Sequence, residues 1–430
     1  MAILEPRDYQ LEGIKWLKET KRGLLTDHPG LGKTLQAAEA AELPLIVSSP
    51  AYLSGQWADF LVEQYPTLKI AYANGTRKQR DAILDKKSDI YVVNHEMLAT
   101  YALPTDFKTV IYDESHHLRN RGTEKSRAAA KLVKNKDKRV YLLSASPMWK
   151  GPEDIWMQLH IMYPEIFKSY KDFVDMFFIT VNTPYETKIL GVKKAMRKLL
   201  DEMLSPIKFG RTYKQAGRFL PEIIETVISL DLDAKFKKIY QEVKDTLALT
   251  VNRDGEEGWN KLIFGGAGAM HTLRQITMIS GKVDATVQAV EDANKMTVVG
   301  CWYRDHAEMI HKKLPGSVLL TGDLPSRERQ QLAMRAQNRG QHIVATEASI
   351  CEGVNLSKYT SIVMPEEHWP PGANYQFISR VARDRNDGGL NKEPVNVRYV
   401  VVRKTIDSAI HSIAKRRQGS IKDIWEETLV

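Results

Sequence analysis

Asp27-His28-Pro29-Gly30-Leu31-Gly32-Lys33-Thr34 sets two glycines, a lysine and a hydroxyl beside one another, a grouping suited to polyphosphate. The apolar run Gly23–Leu25 enters it, and a helical pattern leaves it at Lys33. In that setting the N–H groups of Gly30 to Thr34, Leu31 included, face phosphate oxygens at the positive end of a helix dipole. Gly30 and Gly32 permit close approach, Lys33 reaches the β- and γ-phosphates, and the Thr34 hydroxyl can ligate Mg²⁺. The usual loop opens on glycine; here that position is Asp27. A second constellation is Val110-Ile111-Tyr112-Asp113-Glu114-Ser115-His116, an apolar run ending in two acids. Asp113 is suited to holding Mg²⁺, and Glu114 to polarising an attacking water as general base.

Two further groups extend the pattern. Ser144-Ala145-Ser146-Pro147 follows the run Leu142-Leu143, and its small hydroxyls can link an ATP site to a nucleic-acid track. Gln376, Arg380 and Arg383 fall on one face of a helix at i, i+4 and i+7. Two such arginines fit γ-phosphate sensors, and an arginine finger is worth about 10³–10⁵ in turnover. Each group alone has an ordinary reading: a glycine turn, a solvated strand end, a basic helix. It is their order along one chain that carries weight.

These side chains need elements to hold them. Apolar runs at Gly23–Leu25, Leu45–Ser48, Ile70–Ala73, Ile90–Val93, Val110–Tyr112 and Val140–Leu143 alternate with helical stretches, which predicts βαβ units and a parallel sheet. A second alternating block comprises Thr297–Cys301, Val318–Leu320, His342–Ala345, Ser361–Met364 and Val395–Val402. Between them, Trp156–Met162, Phe167–Phe178 and Asp233–Leu249 read as helices, and Gly265-Gly266-Ala267-Gly268 as a joint. The expected division is an α/β lobe over 1–165, helical protrusions and linker over 166–280, and a second lobe over 281–430.

At 430 residues the chain exceeds one ordinary core. No apolar run reaches the roughly 18 residues of a membrane span, and Met1 to Arg7 has no leader pattern. Two cysteines, Cys301 and Cys351, exclude a disulfide framework and a multi-cysteine zinc site. A net charge of +9 fits a polyanionic partner, as do the basic runs Lys131–Arg139, Lys193–Lys198 and Lys415–Arg417. Each run is also what a solvated face looks like.

The ordered set resembles the helicase motifs of superfamily 2, and specifically the Swi/Snf-like duplex-DNA translocases. Arg7-Asp8-Tyr9-Gln10 is similar to their adenine-reading Q motif, with Gln10 on the base. Asp27 to Thr34 resembles the family's D-x-x-G-x-G-K-T loop, which accounts for the missing glycine. Ser49-Pro50-Ala51 with Gln56-Trp57 resembles motif Ia, and Asp113–His116 is a DESH form of its DExH box, in the direction of the annealing helicases. Ser144–Pro147 stands at motif III, Thr346 to Leu356 at motif V, Trp369-Pro370-Pro371 at the W-N-P element, and Gln376 to Arg383 at motif VI. Thr405–Ile410 resembles the closing T-I-E-x-x-I. Motif V is one residue longer than usual before Gly353, and Asp384-Arg385-Asn386 replaces the usual Ile-Gly-Gln.

The resemblance implies two RecA-like parallel-sheet lobes with helical protrusions between them, ATP and Mg²⁺ as cofactors, and stepwise movement along double-stranded DNA. It implies catalytic roles for Lys33, Asp113, Glu114, Arg380 and Arg383. It also implies nucleotide contacts from Arg7, Gln10 and Gln376, and DNA coupling through Trp57, Ser144, Ser146, Thr346, Gly353 and Trp369. A bare monomeric motor of the cytoplasm or nucleoid is expected, with no membrane association. The rival readings are a strand-separating helicase on DNA or RNA and a nucleotide-gated clamp without turnover.

Overall fold

The computed structural model describes residues 3–182, 187–218, 221–253, 267–351, 354–383 and 393–425. The chain forms two compact units, Met1–Phe219 with Gln418–Val430, and Leu220–Arg417. In the first, the apolar runs become β1 (Arg22–Leu25), β2 (Leu45–Ser49), β3 (Ile70–Tyr72), β4 (Ile90–Asn94), β5 (Thr109–Asp113) and β6 (Arg139–Leu143). An antiparallel hairpin, β7 (Phe178–Asn182) and β8 (Thr187–Val192), stands apart from them. The short β9 (Lys208–Phe209) then joins the sheet, giving the order β3-β4-β2-β5-β6-β1-β9. Every pairing in it is parallel.

Successive side chains enter different cores. Ile46, Tyr91, Val110 and Leu142 pack on one face, while Val47, Val92, Ile111 and Tyr141 pack on the other. Strands covered on both faces read as unbroken apolar runs, as these do. Register matters more for function. Leu25 pairs with Leu143 and with Phe209, and Leu143 pairs with Asp113. The chain therefore leaves β1, β5, β6 and β9 at one level, on the carboxyl edge where open parallel sheets bind ligands.

The second unit repeats the plan with β10 (Ile223–Leu230), β11 (Thr297–Cys301), β12 (Val318–Leu320), β13 (Ile343–Thr346), β14 (Ser361–Met364) and β15 (Val395–Val402). Their order is β10-β15-β14-β11-β13-β12, again all parallel. Two parallel-sheet α/β lobes is the expected class. No helix among the described residues is long and apolar enough to cross a membrane.

The interval 166–280, read as helical protrusions and linker, holds strands as well as helices. It holds the helices Tyr170–Phe177, Arg197–Leu204, Ala234–Arg253 and Ala267–Thr277, but also β7, β8, β9 and β10. β9 belongs to the first sheet and β10 to the second. A strand of two residues leaves no periodic trace, and Phe178, read as the end of a helix, opens β7.

Gly300 shows how closely the second unit is packed. A Cβ there would sit 2.5 Å from the Phe377 ring, and Phe377 lies fully buried on the helix Pro371–Val381. Gly300→Ala is expected to destabilise the protein by about 1–3 kcal/mol through overpacking, read as a lower denaturation midpoint. An unchanged midpoint would show that this helix shifts without cost.

Candidate active site

The phosphate-type loop takes the shape its glycines permit. Gly30 and Gly32 have φ of 79° and 78°, the left-handed region that glycine alone enters without strain. Helix α2 (Lys33–Ala40) starts directly after Gly32. A Cβ at Gly32 would lie 2.1 Å from Gln10 Nε2, whereas one at Gly30 would meet nothing within 4 Å. Gln10 is buried and donates from Nε2 to the Leu31 carbonyl at 3.0 Å, while its Oε1 accepts from Arg7 N–H at 2.9 Å. Gln10 thus ties the start of the chain to the loop, and Arg7 contributes through its backbone. Lys33 Nζ reaches back to the Asp27 carbonyl at 2.6 Å.

Asp27 is taken up within the protein. Its fully buried carboxylate accepts four hydrogen bonds: from Arg211 N at 2.9 Å, Arg211 Nε at 3.1 Å, Arg211 Nη2 at 2.7 Å and Gln36 Nε2 at 2.8 Å. That fills its acceptor capacity. Asp27, expected to bind nucleotide, instead anchors the loop from beneath. Around it, Thr26 N–H donates to Phe209 O at 2.7 Å, His28 N–H to Arg211 O at 3.1 Å, and the Tyr213 hydroxyl to Pro29 O. The segment following β9 is the loop's second wall. Burial, with the Lys33 charge, lowers His28 to about 4, so this ring is neutral at physiological pH.

Asp113 ends β5 as a junction. Trp57 Nε1 donates to its Oδ2 at 2.7 Å, and Glu114 N–H to its Oδ1 at 2.9 Å. Burial and the adjacent Glu114 charge push its carboxyl up to about 6, against the Trp57 bond and the charge of Lys33. Each oxygen keeps one acceptor position for a metal-bound water. Trp57, expected at the nucleic acid, is buried on α3 (Ala51–Gln64) with its indole N–H on Asp113. His95 Nε2 lies 3.0 Å from the Asp113 carbonyl and its Nδ1 2.8 Å from Ser48 Oγ. Because the carbonyl only accepts, Nε2 carries the proton.

Glu114 occupies φ 46°, ψ 50°, a costly backbone for glutamate that surroundings must enforce. Its Oε2 lies 3.3 Å from His116 Nδ1, and that nitrogen lies 3.1 Å from Ser144 Oγ. His116 is fully buried and stacked on Trp149 at 4.3 Å. Ser144 in turn accepts from Ser146 N–H at 3.1 Å. Ser115 Oγ donates to Gln158 Oε1, and Gln158 Nε2 to Pro147 O, each at 2.7 Å. Hydrogen bonds join Ser115 and His116 to the Ser144–Pro147 turn, and the Glu114 carboxylate meets that body through its close contact with His116. Ser144 is fully buried and faces this network.

In the second unit Gln376 and Arg380 lie on the helix Pro371–Val381, half-buried. Arg383 falls beyond it: Ala382, at φ −76° and ψ 72°, ends the helix, and Arg383 Nε donates to Ser379 O at 3.2 Å. The expected i+7 alignment therefore stops at Arg380. Thr346 closes β13 and is buried, and Trp369 packs against the cluster of Leu273, Ile276 and Ile406. Gly353, Asp384-Arg385-Asn386 and Gly265-Gly266 lie outside the described residues. The basic runs are partly spent internally: Lys138 donates to Thr105 O, Arg139 to Lys18 O, and Lys415 pairs with Glu225.

A family model described as an SNF2-related domain matches residues 9–281. The chain belongs to the SNF2-related family. It is 25% identical over 441 residues to the cattle (Bos taurus) DNA annealing helicase and endonuclease ZRANB3, covering 95% of this chain and 39% of that protein. It is 28% identical over 434 residues to the SWI/SNF-related matrix-associated actin-dependent regulator of chromatin subfamily A-like protein 1 of Xenopus tropicalis, covering 93% and 43%. The chain thus spans about two fifths of the length of these curated relatives. A solved Sulfolobus solfataricus SWI2/SNF2 ATPase core in complex with dsDNA is 21% identical, with 100% and 96% coverage and a TM-score of 0.45.

Within this SNF2-related chain, Arg211 is the residue whose loss should do most harm to the loop. Arg211→Ala leaves the Asp27 carboxylate buried with its fork removed, which is expected to cost about 3–5 kcal/mol and to weaken nucleotide binding. Arg211→Lys should recover little, since an ammonium cannot make the paired contacts. Denaturant midpoints and nucleotide titrations check this; a wild-type midpoint for Arg211→Ala would remove Arg211 from the loop's support.

Proposed function

We propose that this chain is an ATP-hydrolysing motor that moves along duplex DNA. One observation carries the reading: Lys33, Asp113 and Glu114 follow strand ends held level by register, beside a loop fixed in a phosphate-cradling shape. The donor set there fits a triphosphate with a hard divalent cation. Helix-start N–H groups and Lys33 face anionic oxygen, while Thr34 and Asp113 offer oxygen ligands to Mg²⁺. The step from a nucleotide site to a DNA motor rests on the family and on relatives named as DNA annealing helicases.

Bound ATP with Mg²⁺ supplies the phosphoanhydride and the charge that hold the reacting group. The protein's part is positioning and proton handling. Gln10 keeps one N–H and one acceptor position beyond its two bonds, enough for an adenine edge. Glu114, fixed in its left-handed turn, accepts the proton of the attacking water. Arg380 and Arg383 are assigned to the charge that develops on the phosphoryl oxygens, and Gln376 lies on the helix that carries Arg380. His116, Ser144 and Ser146 relay the state of Glu114 to the Ser144–Pro147 turn. Thr346, Gly353 and Trp369 are assigned to nucleic-acid coupling in the second unit.

Duplex DNA is expected to stimulate ATP turnover, and added salt to weaken the stimulation with a log–log slope of about −0.9 per phosphate contact. Steady-state ATPase assays with duplex, single-stranded and RNA effectors decide this. Equal turnover without nucleic acid, or stimulation by RNA alone, overturns the reading. Displacement of a third strand from a triplex fits translocation, and efficient separation of a long blunt duplex favours a strand-separating helicase.

Arg383→Ala should leave ATP affinity nearly intact while lowering DNA-saturated turnover by about 10³ or more. If Arg383 serves only DNA binding, its loss weakens DNA affinity and preserves saturated turnover. Measuring all three quantities on one variant separates the two roles.

A further inference from the structure

At the carboxyl edge of the second sheet stands a group of side chains that nucleotide chemistry does not use. His271 lies on the helix Ala267–Thr277, and Asp305 and His306 open the helix Arg304–Lys313. One ring nitrogen of each histidine and a carboxylate oxygen of Asp305 lie within 4.8 Å of one another. His271 Nε2 is 3.2 Å from Asp305 Oδ2, which Gln275 Nε2 also reaches at 3.0 Å. His306 is fully buried, with Nδ1 2.9 Å from Glu366 Oε1. Nδ1 meets that carboxylate as a close polar contact rather than a well-aligned hydrogen bond, and Nε2 has no polar partner of either kind among the described residues.

Glu366 fixes which nitrogen of His306 holds the proton. Its Oε2 accepts from Trp302 N–H at 2.9 Å and Tyr303 N–H at 3.2 Å, and Arg274 Nη1 lies 3.4 Å from Oε1. With Nδ1 2.9 Å from that oxygen, the neutral His306 ring has its hydrogen on Nδ1 and its lone pair on Nε2. A buried lone pair without a donor is costly, and a carboxylate behind a histidine is the usual outer support of a metal-bound imidazole. The charge balance agrees. Arg274 and Lys282 are buried here beside four buried carboxylates, Glu347, Glu366, Glu367 and Asp407. Neither oxygen of Glu347 has a hydrogen-bond partner among the described residues.

We propose that His271, Asp305 and His306 bind a divalent transition metal of the Zn²⁺ class. Two imidazoles and one carboxylate suit zinc and its neighbours and suit Mg²⁺ poorly. The 3.2 Å between His271 Nε2 and Asp305 Oδ2 matches the ligand–ligand edge of about 3.3 Å that tetrahedral bonds near 2.0 Å produce. Water takes the fourth position. The ion pins the helix Ala267–Thr277 to the helix Arg304–Lys313, and it is distinct from the Mg²⁺ assigned to Thr34 and Asp113.

The test uses the whole untagged chain, stripped with a chelator and held in excess Mg²⁺. Titration with Co²⁺ should give one equivalent with the visible bands of an imidazole-bound, low-coordinate ion, and Zn²⁺ should displace it. His271→Ala and Asp305→Asn alter partly exposed residues and are expected to fold, as circular dichroism checks. Each should weaken Zn²⁺ binding in calorimetry by at least about 100-fold. Co²⁺ that keeps its aqueous spectrum, or wild-type Zn²⁺ affinity in both variants, overturns the proposal. The readout is independent of ATP hydrolysis.

Discussion

A carboxylate taken wholly out of water is stable as an ion only where donors surround it, and Asp27 finds three of its four donors on Arg211, 184 positions away. Pairs of this kind add little net stability, because desolvation offsets the attraction. What they supply is a single geometry. With Asp27 held by the fork and by Gln36, the backbone that follows has only one way to turn through Gly30 and Gly32 into α2. Gly13, on α1 (Asp8–Thr20), belongs to the same constraint, since a Cβ there would lie 2.0 Å from Gln36 Oε1 and 2.9 Å from Arg211 Nη2. The loop's shape therefore depends on a contact outside the loop.

The acid pair is organised on the same principle. Asp113 and Glu114 do not merely end a strand; Trp57, His95, His116 and, through Ser144, the following turn fix where their oxygens lie. Burial and mutual repulsion make two adjacent carboxylates costly, as the raised Asp113 carboxyl records. That cost is tolerable at a site that offers the charge to a cation. Rigid support of this sort holds reacting groups within the small tolerance that catalysis needs.

Much of this was legible in the sequence because it is local. Strand runs, the glycine turn and the helix beginning at Lys33 follow from period and backbone freedom alone, and all appear where expected. Non-local partners leave no such trace. Nothing in the residues around Arg211 announces a fork on Asp27, and β9 is too short to show alternation. Trp57 was legible in motif but not in role: on α3 it lies among Ala58 and Leu61, buried neighbours that fit an internal anchor. β10 carried a signal that the helical reading of its surroundings overrode, since Ile223-Ile224-Glu225-Thr226-Val227-Ile228 is rich in β-branched residues. Arg383 was placed by helical geometry that Ala382 does not continue.

The position of β9 also orders events in time. A ribosome delivers the loop well before the arginine that closes it, which is made only after β1 to β8 and the helices among them. Until then the nascent first unit carries an Asp27 with no counter-charge, so its loop has no reason to settle. The loop gains its support only once residue 211 has emerged and β9 has docked beside β1. A fragment cut at the end of the sixth strand would possess every residue of the loop and lack the means to hold them in place.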